Sequence, residues 1–413
     1  MKKVIAFAIM FALLATAAFA QVAATVETRM YAVDMDLDDT DTATTYGAIH
    51  TASFTFTGAN DDGTIGGKVK FKVENITGLI LGETWANGGR FHQAFVWWRP
   101  IPQLRVFLGM DPDGLFDSAV LAGWNYHQGN EQFIGFQYWD FWREVFPGNW
   151  DTFGMAFSYF PIQGVNVNLV IPTGGPSVDT WPRHHQENVF RKVPLKDMYP
   201  WGLRLNANVR IPDVGTAYFS WAGPENFAAT HGGDEKRSHY GQIGGSFLMS
   251  GLVQGVQAQL GFSTKIPRYS EEYFPFLIGA AAVYSGPAFG VKFRTGVAFN
   301  ANINGNGNVE YDEDHTYVHG SLMPFMNVGK GRLNVDVGIT ALAGPDETLM
   351  GWWFSPYYTI GPFQAGIHLF TTGKGNSNAA GGYEENAGYA VGQPPVKDNS
   401  IKFAIPIRMV FSF

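Results

Sequence analysis

Lysine and arginine recur at every second position in several short stretches of this sequence, and apolar residues fill many of the positions between them. Residues 68–73 read K-V-K-F-K-V, and residues 203–211 read L-R-L-N-A-N-V-R-I. Because successive side chains of a β-strand point to opposite faces, each stretch predicts a strand with one apolar face and one polar, cationic face. A water-lined surface built from such cationic faces would raise the local concentration of anions.

Ten basic residues share this position opposite the apolar side chains. They are Lys68, Lys70, Lys72, Arg105, Arg204, Arg210, Lys292, Arg294, Lys402 and Arg408. At the middle of a bilayer, an arginine or lysine that faced lipid from a strand would cost about 2–4 kcal/mol. We therefore predict that these side chains line the interior of a closed sheet, where they either attract anions or only solvate the interior and pair with acidic loops.

The same period of two recurs in eighteen stretches after residue 20, and the last stretch spans residues 400–413. Short turns rich in glycine and proline alternate with long polar connections along the chain. This alternation predicts an all-β fold, a transmembrane antiparallel up-and-down β-barrel with short turns on one rim and long loops on the other. The sheet must close because a bilayer offers no hydrogen-bond partners to an open edge. We predict about 18 strands, with 16 as the main alternative, around a lumen wide enough to hold water.

The first twenty residues predict a secretory signal peptide. Lys2 and Lys3 precede an apolar core, and Ala18-Phe19-Ala20 forms a small-x-small cleavage site. The alternative is a membrane-anchoring helix, but the apolar run is shorter than the roughly 20 residues that a spanning helix needs. We expect residues 1–20 to be cleaved and residues 21–413 to form a single barrel domain.

Composition and motifs argue against several function classes. The chain has no cysteine, which excludes a disulfide scaffold and a thiolate metal site. Without Lys2 and Lys3, 26 basic residues remain against 36 acidic ones, and this net charge of −10 argues against nucleic acid as a partner. Neither G-x-S-x-G nor H-E-x-x-H occurs. We predict that the protein is not an enzyme and that it has no cofactor and no metal site.

The chain resembles a Gram-negative outer-membrane porin over essentially its whole mature length. The signal peptide, the strand rhythm and the terminal Ser412-Phe413 on an alternating strand carry the resemblance. It implies an outer-membrane location, periplasmic turns, extracellular loops and passive diffusion of small hydrophilic solutes. It also implies a homotrimer, contact with outer-membrane lipid and a lipopolysaccharide-like surface, and recognition of Phe413 by the barrel-assembly machinery.

The third long connection, residues 111–151, resembles the porin loop that folds into the barrel as a constriction. Six acidic residues of this connection would then face the basic wall across the pore: Asp111, Asp113, Asp117, Glu131, Asp140 and Glu144. Its many aromatic residues either pack the loop against the wall or stack on sugars, which would make the barrel a substrate-selective, sugar-type channel. A surface adhesin or structural barrel with a closed lumen is the alternative from another class.

Aromatic residues lie near the ends of many predicted strands. The examples are Trp97, Trp98, Trp201, Trp221, Trp352, Trp353, Tyr357 and Phe413. Transmembrane barrels carry girdles of aromatic residues at both membrane surfaces, so we predict that these residues belong to such girdles. The alternative is that they pack in the core of a soluble protein.

Overall fold

The computed structural model describes the chain in nine segments, and their regular structure is entirely β-strand. The segments are residues 21–37, 44–73, 90–110, 153–172, 203–222, 239–267, 276–303, 309–373 and 399–413. The strands are β1 (Gln21–Asp36), β2 (Thr44–Ala59), β3 (Ile65–Val73), β4 (Arg90–Ile101), β5 (Leu104–Met110), β6 (Phe153–Tyr159), β7 (Val165–Pro172), β8 (Arg204–Ile211), β9 (Gly215–Ala222), β10 (His239–Ser250), β11 (Val256–Pro267), β12 (Phe276–Ser285), β13 (Phe289–Ile303), β14 (Val309–Val328), β15 (Gly331–Ala343), β16 (Thr348–Ile360), β17 (Phe363–Gly366), β18 (His368–Gly373) and β19 (Asn399–Ser412).

The strands form one closed antiparallel sheet. Each strand except β17 pairs with the next along the chain, and β1 pairs with both β2 and β19, so the described strands leave no free edge. Only Ile367 separates β17 from β18, and both strands pair with β16 on one side and β19 on the other. They therefore occupy one position in the ring, and the predicted barrel of 18 strands is confirmed.

Two prolines account for the break between β17 and β18. Pro356 lies in β16 and Pro406 lies in β19, on either side of the interrupted strand. Neither residue has a backbone N–H, so each removes a bond from the ladder of its strand. The backbone N–H of Ile367 still donates to the carbonyl oxygen of Pro356 over 2.9 Å. The strand therefore keeps its direction across the break.

The two rims of the barrel differ in the length of their connections. Turns of two to five residues join the strand pairs on one rim, from residues 60–64 in the first to residues 361–362 in the last. Most connections on the other rim are longer. One of them is shorter than the sequence suggests: the polar stretch 300–315 predicts a loop, yet β13 and β14 extend so that only residues 304–308 connect them. The polar composition of this segment hid the strand ends.

The final strand closes the barrel beside the first. The N–H of Phe413 donates to the carbonyl oxygen of Ala24 over 2.8 Å, and the N–H of Ala24 donates back to Phe413 over 3.1 Å. The ring of Phe413 remains 79% exposed. The predicted signal peptide, residues 1–20, lies outside the described residues. Across the described segments, no helix has the length and apolar character that a membrane span requires.

Polar side chains lie inside the barrel and apolar side chains lie outside. In β15, Asn334, Asp336 and Thr340 are 3%, 5% and 1% exposed, whereas the alternating Val337 and Ile339 are 38% and 53% exposed. A soluble sandwich would bury the apolar set, because burial of apolar surface drives its folding. The inner face is therefore the polar face on which a functional site would be built.

Candidate functional site

Four of the predicted basic residues are buried on the inner face of the barrel. Lys292 and Arg294 belong to β13 and are 6% and 4% exposed, and Lys402 and Arg408 of β19 are 4% and 6% exposed. Their positions follow from strand parity, since each alternates with outward-facing apolar residues. These four side chains are therefore on the inner face, and their role in lining a pore stays a prediction.

The other predicted basic residues are more exposed, or their side chains lie outside the described part of the structure. Lys68 and Lys70 of β3 and Arg105 of β5 are half-buried, with the parity of the inner face. Arg210 is exposed at the short-turn end of β8. Lys72 and Arg204 belong to β3 and β8, but their side chains lie outside the part of the chain that is described. The same holds for residues 111–151 and the six acidic residues predicted there, Asp111, Asp113, Asp117, Glu131, Asp140 and Glu144.

Arg294 and Asp336 form the centre of a polar cluster on the inner face. The Nε of Arg294 donates to the hydroxyl of Ser321 over 2.5 Å, and its Nη2 lies 4.0 Å from Oδ2 of Asp336. The indole N–H of Trp353 donates to Oδ1 of the same carboxylate over 3.1 Å. Each of these groups is buried, so the bonds fix a carboxylate between one cation and one neutral donor.

A glycine allows Trp353 to lie flat against the wall. Gly338 faces Trp353 in the register of β15 and β16, and a Cβ at this position would overlap the indole ring. The imidazole of His319 stacks on the other side of the cluster, with its ring centroid 5.5 Å from that of Trp353. The flat ring keeps its N–H in reach of Asp336 while it takes little space from the lumen.

A second arginine is held close to the turn between β14 and β15. The Nε of Arg332 donates to Oδ1 of Asn334 over 2.9 Å, and its guanidinium carbon lies 3.8 Å from the centre of the Phe325 ring. Phe325 in turn lies over Gly290, where a Cβ would overlap the ring. The cation–π contact orients Arg332 along the inner face.

The arginine of the last strand completes this part of the wall. Arg408 lies opposite Gln364 of β17 and opposite Arg29 of β1 in the backbone register. The amide of Gln364 donates to the hydroxyl of Thr359 over 3.3 Å. Tyr357, which is 3% exposed, donates to the sulfur of Met323 over 3.4 Å. Aromatic rings and guanidinium groups thus alternate from β14 to β19.

Positive charge dominates this sector among the described side chains. Five inner-face side chains of β13–β19 are cationic and one is acidic: Lys292, Arg294, Arg332, Lys402 and Arg408, against Asp336. The neighbouring strand β1 places Asp36 opposite Lys402 in the backbone register. Among the described residues, no group of three or more histidine or acidic side chains is placed to hold a metal ion. The described side chains of this sector therefore carry an excess of positive charge.

A neutral ladder forms the inner face on another part of the ring. The hydroxyl of Ser158 donates to Oδ1 of Asn168 over 2.6 Å, and the amide of Asn168 donates to Oδ1 of Asn206 over 3.3 Å. The amide of Asn206 then donates to the hydroxyl of Ser220 over 2.9 Å. The ladder crosses β6, β7, β8 and β9 without a charged group.

The predicted aromatic girdle is wrong for three residues. Trp97, Trp353 and Tyr357 point inward, and Trp353 and Tyr357 are only 2% and 3% exposed. Trp97 packs beside Phe95, with ring centroids 6.1 Å apart. Neighbours in a strand face opposite sides, so only Trp98 of the Trp97-Trp98 pair can face outward, where it is 55% exposed. Trp201 lies outside the described residues.

Sequence reasoning missed Arg332, Trp353 and Tyr357 as inner-face residues. The signal for Arg332 was present, because it precedes Asn334 and Asp336 with the same parity. It was overlooked because it lies next to a turn. Trp353 and Tyr357 share their parity with Ser355, which identifies their face once the register of β16 is known.

No protein-family model and no curated protein matches the chain. Among solved structures, 95% of the chain is similar to the outer membrane protein OccK1 (OpdK) of Pseudomonas aeruginosa, at 9% identity, with 99% of that chain covered and a TM-score of 0.54. OccAB4 of Acinetobacter baumannii matches at 8% identity, with 95% and 98% of the two chains covered and a TM-score of 0.52. The structure of P. aeruginosa OpdK with vanillate matches at 9% identity, with 95% and 99% covered and a TM-score of 0.53. The chain therefore has the fold of an outer-membrane porin barrel.

Proposed function

We propose that the barrel is a water-filled channel of the outer membrane through which small hydrophilic solutes diffuse passively, with a preference for anions. The observation that carries this proposal is the inverted distribution of side chains, with polar groups inside and an apolar exterior suited to lipid. A ring of 18 strands is wider than side chains alone can fill, which favours a lumen that holds water. No energy source is required for such diffusion.

The preference for anions is supported by the charge of the inner face. Lys292, Arg294, Arg332 and Arg408 lie in one sector with Asp336 as the described acid. Cationic side chains that line a narrow aqueous space raise the local concentration of anions and repel cations. A chloride or carboxylate that passes this sector can exchange part of its hydration for N–H donors.

The reversal potential of the purified barrel in a planar bilayer tests both parts of the proposal. Under a tenfold gradient of potassium chloride, we expect a reversal potential of the sign given by chloride permeation. Arg332→Gln should move this potential toward zero, whereas Lys330→Gln should leave it unchanged, because Lys330 is exposed in the turn two residues away. A preference for potassium would overturn the anion assignment, and the absence of any conductance would favour a closed structural barrel or adhesin.

A substrate-selective channel is the second candidate, and two observations favour it. Trp353, Tyr357 and Phe325 lie among the cations of the inner face, and a structure with a similar fold is that of OpdK with vanillate, an aromatic carboxylate. An arginine of this face would bind the carboxylate of such a solute through two parallel N–H donors. Saturable block of the conductance by vanillate would favour this candidate, and saturable block by an oligosaccharide would favour a sugar-type channel.

Residues 1–20 and the third long connection, which lie outside the described residues, have their own roles in this channel. We propose that residues 1–20 are removed during export and that residues 111–151 narrow the pore with their acidic side chains. The exposed ring of Phe413 on the closing strand supports its role as the signal for the barrel-assembly machinery. A homotrimer in contact with lipopolysaccharide completes the proposal. Mass spectrometry of the exported protein should give Gln21 as the first residue.

A further inference from the structure

A cavity of about 450 Å³ opens at the rim of the barrel that carries the short turns. The turn at residues 160–164 forms one side, and inner-face residues of β7, β8 and β9 form the other. We call it the turn-rim niche. Its volume falls in the range of small-molecule sites. We propose that the turn-rim niche binds a hydroxylated carboxylate of monosaccharide size, the chemistry of a sugar acid.

Two amide groups in the niche have unused hydrogen-bonding capacity. Asn166 of β7 and Asn208 of β8 lie opposite each other in the register, and both line the cavity. The carbonyl oxygen of each side chain is shielded from solvent and accepts no hydrogen bond from the protein. An unbonded buried acceptor costs about 1–3 kcal/mol, so a ligand that supplies a donor recovers this free energy.

The next pair of asparagines along the same strands shows that an unbonded carbonyl oxygen is not a general property of asparagine side chains in this wall. Asn168 and Asn206 are also opposite each other, but they bond to one another and to the serines on either side. That pair consumes its own donors and acceptors. The pair at the rim does not, although the residue types and the strands are the same. The difference directs the unused acceptors of Asn166 and Asn208 toward a ligand.

The charge of the niche selects a carboxylate. Arg210, at the end of β8, contributes its exposed guanidinium, and the residues that line the cavity include no aspartate or glutamate. A guanidinium binds a carboxylate through two parallel N–H donors, which fixes its orientation. The ligand thus carries one anionic group for Arg210 and hydroxyl groups for the asparagines. Gln103 and Gln163 add two further amides at the opening.

An apolar ledge borders the polar groups. Phe160 and Ile162 of the turn are 39% and 68% exposed and line the same cavity. A pyranose ring has an apolar C–H face that packs against such side chains, whereas an inorganic anion has none. The turn is held in place by the backbone N–H of Arg210, which donates to the carbonyl oxygen of Gly164 over 2.7 Å. The ledge is therefore formed before the ligand arrives, which lowers the cost of binding.

This assignment goes beyond the channel function and does not depend on it. A barrel that conducts no ions would still bind a ligand at the rim, and a conducting barrel could lack this site. Binding is therefore measured without a membrane potential. Isothermal titration calorimetry of the full-length refolded protein in detergent micelles, with D-galacturonate as the probe, gives the affinity directly.

We expect saturable binding of D-galacturonate and at least about tenfold weaker binding of D-galactose, which lacks the carboxylate. Arg210→Gln should weaken galacturonate binding by about tenfold or more and abolish the preference over galactose. Asn208→Ala should weaken the binding of both sugars. The matched control, Asn168→Ala, alters the bonded pair and should leave binding unchanged. Circular dichroism confirms that each variant is folded before its titration.

Three results would overturn the proposal. The first is the absence of binding to the wild-type protein at millimolar galacturonate. The second is equal binding of galactose and galacturonate, which would remove the role of Arg210. The third is a loss of galacturonate affinity in Asn168→Ala that equals the loss in Asn208→Ala. The bonded pair would then matter for binding as much as the unbonded pair.

Discussion

The strands β6–β9 and β13–β16 form opposite parts of the inner wall, since β6 and β15 are nine positions apart in the ring of eighteen. The first part satisfies its polar groups with neutral serine and asparagine side chains that bond to one another. The second holds Arg294 at 4.0 Å from the carboxylate of Asp336, and Lys292 and Arg332 lie on the same inner face. The neutral wall satisfies its polar groups internally, whereas the described side chains of the charged wall keep an excess of positive charge on the inner face.

This difference also predicts how much the free energy of unfolding changes when a single residue of each wall is replaced. In the neutral ladder, removal of one side chain leaves a neutral donor or acceptor unsatisfied, which costs about 1–3 kcal/mol. In the charged wall, removal of the acid leaves a buried guanidinium without its nearest carboxylate, which costs about 3–5 kcal/mol. The following variants test that ranking by the free energy of unfolding in urea, monitored by tryptophan fluorescence.

Asp336→Ala should have the largest effect. The substitution leaves the cation of Arg294 uncompensated and removes the acceptor of the Trp353 indole N–H. We expect the free energy of unfolding to fall by about 3–5 kcal/mol. Asp336→Asn should lose less, because the amide oxygen still accepts from Trp353. If Asp336→Ala unfolds at the same urea concentration as the wild type, water already screens this part of the wall and the ranking is wrong.

Gly338→Ala should have the next largest effect. The added methyl group overlaps the indole of Trp353, so the ring must leave the wall and its bond to Asp336 is strained. Overpacking of this kind costs about 1–3 kcal/mol. Gly320→Ala is the matched control, since only the Thr295 hydroxyl lies within 4 Å of its new Cβ, at 4.0 Å. If both variants lost the same free energy of unfolding, the cost would arise from the backbone and not from the indole ring of Trp353.

The strand rhythm of the sequence was sufficient to predict the fold, and the reason is physical. Apolar exterior and polar interior alternate residue by residue in a membrane barrel, so parity alone assigned Lys292, Arg294 and Arg408 to the inner face. The eighteen predicted stretches match the eighteen strand positions of the ring, and the last, predicted over residues 400–413, is β19 (Asn399–Ser412). The ends of β13 and β14 were missed because the polar residues there resemble a loop.

Parity does not predict which inner-face groups touch each other. The bond between Trp353 and Asp336 depends on the pairing of β15 with β16, and on Gly338, which admits the ring. Likewise, nothing in the composition of β7 and β8 separates Asn168, which is bonded, from Asn166, whose carbonyl oxygen is not. Strand register and side-chain rotamers decide these contacts. Neither can be predicted from the alternation of apolar and polar residues along a strand.

Asn168→Ala should have a smaller effect than either change in the charged wall. It deprives Ser158 of its acceptor and Asn206 of its donor. Both partners are neutral, so we expect a loss of about 1–2 kcal/mol. Asn166→Ala is the control within the same strand, and it should not lower the free energy of unfolding, because its carbonyl oxygen makes no bond within the protein and its removal relieves the cost of an unbonded buried acceptor. Equal losses for Asn168→Ala and Asn166→Ala would mean that the ladder contributes nothing beyond packing.

Asp62→Asn should have the smallest effect, because its hydrogen bonds lie outside the wall in the exposed turn between β2 and β3. The hydroxyl of Thr64 donates to Oδ1 of Asp62 over 2.7 Å, and the backbone N–H of Thr64 donates to the same atom over 3.0 Å. These bonds favour the ionised form, so they lower the pKa of Asp62 below its ordinary value of 3.8. The stabilisation is therefore complete above that value and is lost as the pH falls through the lowered pKa.

Unfolding of the wild type and of Asp62→Asn at pH 6 and pH 3 measures this contribution. The two proteins should differ slightly at pH 6, by less than Asn168→Ala differs from the wild type, and the difference should shrink at pH 3. A hydroxyl donor occurs in both the turn and the neutral ladder, but the turn is exposed whereas the ladder is buried. A loss at Asp62 as large as that at Asn168 would show that burial is not what separates the wall from the rim, and the comparison of the two walls would lose its physical basis.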